Sequence, residues 1–294
     1  DANLLARMTL DHQSRYDFDL IKVTPASSYC LLDWGIKDKW KGNPEGTRDY
    51  SGRVIQSPGD WLKLKVLDPK IGALGRSLEA LKWILKGREP ATPVIQTIFN
   101  PLSQAKNLAG QEILLAHLHQ YPDELAVGLE TITATIQTYL AEVMKLGVDG
   151  IFYAVQHAQS QLLTPAEFQR FSIGNDLSIL NTVRSLWLNM LHIHGTNVLF
   201  DQVANYPVQV VNWHDRETSI HLDDGLKKIS GVACGGLSRD ETMLLGSPEQ
   251  VAKEIQDGYE QTGGRRWIIG TGCVMMTTTP EVNILAAVQA ARQY

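Results

Sequence analysis

Two histidines stand two residues apart, His192 and His194, and Cys273 follows an apolar run much later in the chain. In an extended strand, residues i and i+2 project to one face, so the pair presents two imidazoles side by side. Two imidazoles and one thiolate supply three ligands of a tetrahedral zinc site and leave a fourth position open, as catalytic zinc requires. Without a metal, the same residues read as two hydrogen-bonded histidines shaping a polar pocket and a cysteine acting as a small buried hydrophobe. His214 sits in the polar run Trp213-His214-Asp215-Arg216. It offers a fourth ligand or an acid/base group, because imidazole titrates near ~6.5. Arg216 offers a guanidinium fork for a carboxylate or phosphate, or an ordinary surface pair with Asp215. His157, which follows Tyr153 and Gln156, either orients substrate or bonds a neighbouring loop. His12, His117, His119 and His221 read as surface residues, and Cys30 and Cys234 lack metal-ligand spacing.

These residues fall at recurring places. Seven β-type runs cover residues 19–24, 93–99, 150–155, 188–194, 208–213, 231–237 and 266–270. Helical patterns separate them, as over residues 131–145, where apolar residues recur three and four apart. Ser247-Pro248-Glu249, Thr164-Pro165-Ala166-Glu167 and Thr279-Pro280-Glu281 read as helix starts, and Gly147 and Gly263-Gly264 as helix ends. Alternating strands and helices predict βα units around a parallel sheet, here a (β/α)8 barrel of the TIM type in a single domain over 1–294. In such barrels the chemistry collects at the C-terminal strand ends. There stand Asn100, Gln156 with His157, His192 with His194, His214 with Arg216, Arg239 and Cys273. Asn100, Gln156, Arg216 and Arg239 are accordingly candidates to bind substrate, and His214 and His157 to act in catalysis. Residues 34–70 form a long irregular excursion, a setting in which functional lids are common.

The bulk properties remove other classes. A net charge of −5 and a pI near 5.9 argue against nucleic-acid binding. No apolar run approaches the ~18 residues a membrane span needs, and no N-terminal apolar segment reads as a signal peptide. Three cysteines in 294 residues argue against a disulfide scaffold and fit a reducing, cytoplasmic setting. No phosphate-binding glycine loop or nucleophile elbow follows a strand, so no nucleotide cofactor is expected.

Several segments, taken in order, carry a resemblance. They are Ile98-Phe99-Asn100-Pro101-Leu102, then Tyr153-Ala154-Val155-Gln156-His157-Ala158 with Phe168 and Phe171, then Gly235-Gly236-Leu237. Leu245 to Val251, Trp267 to Cys273 and Thr279 to Asn283 complete the series. The chain resembles the uroporphyrinogen decarboxylase superfamily over nearly its whole length. That superfamily includes the haem-pathway decarboxylase and zinc methyltransferases that pass methyl groups between corrinoid proteins and thiols. The methyltransferase branch uses His-x-Cys and a distant Cys as zinc ligands. His192 matches that His, Cys273 the distant Cys, and His194 replaces the middle Cys, which makes the set more positive and more Lewis-acidic. The decarboxylase branch matches less well. Its substrate-binding Asp falls on Thr24 or Pro25, its active-site Tyr on Asn107, its Ser on Gln156 and its His on Cys273. Only Arg216 and Arg239 then remain to clamp a many-carboxylate macrocycle.

The resemblance therefore implies zinc-dependent methyl transfer from a corrinoid or methylated donor to a thiol-type acceptor. Its alternatives are decarboxylation of uroporphyrinogen III in porphyrin biosynthesis, and a non-catalytic partner of a corrinoid protein. It implies a small-molecule substrate, admits a corrinoid protein as partner and a homodimer, and involves neither nucleic acid nor membrane. Seven strands are one short of eight, and residues 4–15 before the first run read as helix. The family's first strand is thus expected to be missing, with roughly 40–50 residues, on the scale of a ~30-residue βα unit and a lead-in.

Overall fold

A computed structural model describes residues 1–294. The strands are β1 (Ile21–Val23), β2 (Lys37–Lys39), β3 (Asp49–Gly52), β4 (Val94–Phe99), β5 (Gly150–Val155), β6 (Met190–Ile193), β7 (Val210–Trp213), β8 (Val232–Leu237) and β9 (Trp267–Thr271). All but β2 and β3 join one parallel sheet, ordered β1-β4-β5-β6-β7-β8-β9 as in the chain. Each of its seven strands lies in or across one of the seven β-type runs. The sheet curls strongly enough that one apolar cluster gathers Ile95 of β4, Met190 of β6, Val210 of β7 and Cys234 of β8, with Leu20 ahead of β1 and Ile268 of β9 packed against it. The architecture is an α/β half-barrel of the TIM type, with β1 and β9 as its two ends.

Parallel strands covered by crossover helices become apolar on both faces, and β6 and β7 are buried at every residue. The main core runs between the sheet and its helices. There Trp213 packs edge-on against Phe200 at 5.3 Å between ring centres. The start of β5 passes so close to β6 that a Cβ on Gly150 would lie 1.7 Å from the Leu188 carbonyl oxygen. The expected helix starts are built as capping boxes at Ser247 with Gln250 and at Thr164 with Glu167. For the last helix, Glu281–Ala291, the capping residue is Pro280.

The excursion folds as the antiparallel hairpin β2–β3 followed by a turn over Pro58–Lys63. Between the two strands, the Pro44 carbonyl accepts from the Thr277 N–H at 2.7 Å, and Glu45 pairs with Arg239 at 2.8 Å. The hairpin tip is thereby fastened to the loop after β9, at the sheet's C-terminal end. His117 departs from the surface reading. It is buried, and its Nδ1 accepts from Trp61 Nε1 at 2.9 Å, because the turn lays Trp61 against that helix. No helix is long and apolar enough to cross a membrane.

Candidate metal centre

His192, His194, His214 and Cys273 converge at the C-terminal end of the sheet. Each offers one ligand atom, and these atoms all lie within 4.8 Å of one another. Cys273 Sγ stands 3.9 Å from His192 Nε2 and 3.6 Å from His194 Nδ1. A tetrahedron with zinc–nitrogen bonds of ~2.1 Å and zinc–sulfur bonds of ~2.3 Å has edges of roughly 3.3–3.7 Å, so a small contraction would suffice.

The backbone explains why they meet. His192 and Asn212 are register partners on β6 and β7, and two residues on, the chain delivers His214 beyond the end of β7. Cys273 arrives from β9 through Gly272. A Cβ at Gly272 would stand 2.7 Å from both His214 Cα and the Trp213 carbonyl oxygen. Only glycine lets these two strand ends pass so closely.

Hydrogen bonds fix which nitrogen of His192 and of His214 is free. Asn212 Nδ2 donates to the carbonyls of Cys234 at 2.9 Å and Thr271 at 3.1 Å. Its Oδ1 therefore faces His192 Nδ1 at 2.6 Å, and that nitrogen must carry the proton. The lone pair of Nε2 then points at the cluster. At His214, Nδ1 donates to the Glu217 carboxylate at 2.9 Å, which leaves Nε2 bare, and this Nε2 is buried with no partner in the protein. An unpaired buried polar atom costs about 1–3 kcal/mol, and a cation among the four ligands would satisfy it. The residues present fit a zinc ion, with thiolate, imidazole and carboxylate-backed imidazole as zinc sites use them.

Burial dominates the electrostatics. It drives His192 well below the usual imidazole range and His194 to about 4, with the neighbouring imidazoles adding to both shifts. Burial also pushes the Cys273 thiol up. Phe152 stacks on His192 at 5.2 Å, and Lys22 Nζ lies 4.4 Å from the centre of the Phe152 ring.

The other candidate residues lie around this centre in different roles. Gln156 directly follows β5 and is half-buried, and its hydrogen bonds to Ser103 and Gln159 are made by its backbone, not its side chain. His157 is 1 % exposed, its Nε2 stands 3.3 Å from Gln111 Oε1, and burial pulls its pKa to about 3. Asn100 is fully buried. It caps the helix Pro101–Ala109 through the Ser103 N–H at 3.1 Å and donates to Ser172 and Asp176, both at 3.1 Å. Arg216 runs between β8 and the helix Pro248–Thr262. It donates to the carbonyls of Gly236 at 3.0 Å and Glu254 at 3.1 Å and pairs with Asp257 at 2.5 Å. Arg239 pairs with Glu45 and lies 3.7 Å from Glu217. Asn212 and Glu217, which orient two of the imidazoles, have roles that the motif spacing did not reveal. Asn212 carried the one available signal, a polar side chain inside an apolar strand.

A family model described as uroporphyrinogen decarboxylase (URO-D) matches residues 1–294. A methylcobamide:CoM methyltransferase, MtbA, from Methanosarcina acetivorans is 21% identical over 82% of this chain and 70% of its own length. A uroporphyrinogen decarboxylase from Prochlorococcus marinus (strain MIT 9303) is 23% identical over 61% of this chain, which spans only 51% of that relative. Among solved structures, a methyltransferase from Methanosarcina mazei superimposes with a TM-score of 0.87 at 20% identity, covering 100% of this chain and 86% of that one. A B12-independent methionine synthase from Shewanella sp. W3-18-1 superimposes with a TM-score of 0.63 at 13% identity, covering 99% of this chain and 87% of that one.

Proposed function

Because the chain belongs to the uroporphyrinogen decarboxylase family, a superfamily of enzymes, we propose that it transfers methyl groups at a zinc centre, from a corrinoid or methylated donor to a thiol-type acceptor. The observation that carries this reading is the four-ligand convergence, with the buried His214 Nε2 lacking any other partner. The methyltransferase names among its relatives point the same way.

His192, His194 and Cys273 would hold the ion, with His214 as the fourth ligand. When bound, zinc supplies Lewis acidity that favours the anionic, nucleophilic form of the acceptor. The protein's own groups do the rest. Asn212 and Glu217 keep the protons of His192 and His214 on Nδ1, so that Nε2 stays a donor of its lone pair. Burial keeps His192 and His194 neutral at physiological pH, the form in which imidazole ligates. Phe152 screens one side of His192 from water. We assign Gln156 and His157 to substrate orientation, since both stand beside the centre and each retains an unused hydrogen-bonding group. Arg216, Arg239 and Asn100 serve as supports, each being engaged within the protein. A corrinoid carrier would dock over this end of the sheet, and the three free cysteines suit the reducing cytoplasm.

Elemental analysis of the dialysed, thiol-free full chain tests the reading, with about one zinc per chain expected for a single four-ligand site. Cys273→Ser and His192→Ala should lose that zinc, and demethylation of a methylated corrinoid in the presence of a thiol should fail with it. Metal-free protein that decarboxylates uroporphyrinogen would overturn the proposal in favour of the lyase branch. Tight corrinoid-protein binding without turnover would overturn it in favour of a non-catalytic partner.

A further inference from the structure

The tip of the β2–β3 hairpin reads Asn43-Pro44-Glu45-Gly46. Asn first, Pro second and Gly fourth favour a type I turn, and an Asn side chain closes such a turn further by accepting from the backbone two residues on. The structure builds both bonds. Gly46 N–H donates to the Asn43 carbonyl at 2.9 Å, and Glu45 N–H donates to Asn43 Oδ1 at 2.8 Å. The turn is thus a stiff piece with the Pro44 carbonyl and the Glu45 carboxylate left over for other partners. The strands beneath it are largely solvated, so the tip adds little to the core.

What the tip touches is the loop that leaves the metal centre. From Val274 to Thr279 this loop makes two hydrogen bonds to the rest of the chain, and both lead to the tip. Thr277 N–H donates to the Pro44 carbonyl at 2.7 Å. The Val274 carbonyl accepts from Arg239 Nη1 at 3.5 Å, and Glu45 holds that same nitrogen at 2.8 Å. Met275 adds an apolar contact to the cluster of Leu237 and Met243. Arg239 also reaches the other side of the centre. Its Nε is buried without a hydrogen bond, 3.7 Å from Glu217 Oε1, while the other oxygen of that carboxylate accepts from His214 Nδ1. One guanidinium therefore stands between the carboxylate of the hairpin and the carboxylate that aims a ligand. Without Glu45, Arg239 is free to turn toward Glu217 or toward Asp240, 3.3 Å away, and the loop behind Cys273 loses its polar tethers.

We infer that Glu45 is a positioning residue of the metal centre, and that the hairpin tip is a clasp whose closure and the binding of the ion favour each other. Glu45 touches no ligand. It acts through Arg239 on Glu217 and His214, and together with Pro44 on the loop behind Cys273. Such coupling is reciprocal: what the closed clasp adds to metal affinity, the metal adds to closure of the clasp. The inference rests on the part of the proposed function in which the four residues bind zinc, and not on the methyl donor or acceptor.

Zinc affinity of the full chain, measured by competition with a chelating dye, tests one direction. Loss of a group that orients a metal ligand weakens binding by ~10–100-fold, and Glu45 stands one link further out, so Glu45→Gln should weaken it by about 10-fold. The melting temperature of the metal-free protein should stay at the wild-type value, since a partly exposed ion pair contributes little to stability. Adding Glu45→Gln to Arg239→Gln should cause no further loss of zinc affinity, because the two act as one unit. Limited proteolysis tests the other direction. Lys39 and Lys41 on the hairpin are exposed. Trypsin should cut after them about 10-fold more slowly in the wild-type chain loaded with one zinc than in the metal-free chain, since cleavage follows the open population. Glu45→Gln should erase that protection. The wild-type comparison needs no variant, so it decides even where a replacement folds poorly. Wild-type zinc affinity in Glu45→Gln, or hairpin cleavage that ignores zinc, would overturn the clasp and leave the metal centre standing. A wild-type chain that takes up no zinc would overturn both.

Discussion

At the scale of single residues, the centre depends on groups that never touch the ion. Asn212 aims His192, and Glu217 aims His214. Replacing such an orienting partner of a metal ligand weakens binding by ~10–100-fold. Asn212→Leu should fall in that range when zinc affinity is measured by competition with a chelating dye. It should also destabilise the fold by about 1–3 kcal/mol, because the carbonyls of Cys234 and Thr271 lose their donor. Glu217→Ala should weaken zinc binding through loss of the Nδ1 acceptor, whereas Glu217→Gln, whose amide oxygen still accepts, should recover most of it. An Ala variant that binds zinc as tightly as the wild type would show that His214 is not a ligand. The four candidate ligands were legible in the sequence because strand ends and i, i+2 spacing are local facts. Asn212 and Glu217 were not, because their task is set by a register between strands 20 residues apart and by a turn that folds Glu217 back onto His214. His117 shows the same limit in reverse, since its burial depends on Trp61 from a distant turn.

At the scale of elements, one acid fastens the lower rim of the sheet. Asp149, just before β5, accepts from the Val94 N–H at 2.8 Å at the start of β4 and from Trp187 Nε1 at 3.1 Å ahead of β6, and it pairs with Arg88. Burial alone would raise its pKa, but these bonds outweigh it and hold the carboxyl below the usual range. A carboxylate whose pKa is lower in the folded state contributes stability above its unfolded value of ~3.9, and that contribution fades as pH falls through the folded value. Asp149→Asn should therefore cost about 1–3 kcal/mol at pH 7, with the deficit shrinking as urea titrations are repeated below pH 4. A deficit that stays constant down to pH 2 would assign the loss to packing instead. The seven strands were visible beforehand because both faces of a parallel strand are apolar, which leaves dense short runs. The hairpin β2–β3 was not visible. Its strands, Lys37–Lys39 and Asp49–Gly52, are polar and largely solvated, and what fastens its tip to the sheet lies in Arg239 and Thr277, more than 180 residues away in sequence.

At the scale of the whole molecule, the sheet's two ends are brought into one body by helices. The helix Ala2–Tyr16 lies against the helix Gly72–Gly87 and touches the last helix, Glu281–Ala291. Two kinds of contact bridge the ends. Arg15 pairs with Glu281 at 2.8 Å, and Arg292 with Asp17 and Asp19 at 3.2 and 2.8 Å, all of them solvent-exposed. Beneath them Tyr16 is 8 % exposed in an apolar cluster with Leu237, Met243, Val251, Ile255, Ile284 and Ala290. Exposed ion pairs are screened by water and salt and contribute little, whereas truncating a buried aromatic leaves a cavity and costs about 3–5 kcal/mol. Tyr16→Ala should therefore lower the urea midpoint strongly, while Arg15→Ala leaves it unchanged within error at physiological salt. Since Tyr16 packs on residues flanking β8 and β9, and β9 leads into Cys273, the same variant should also loosen zinc binding at temperatures below its melting point. If Tyr16→Ala instead proves as stable as Arg15→Ala, the first helix is not part of the cooperative unit, and the centre is held by β6 to β9 alone.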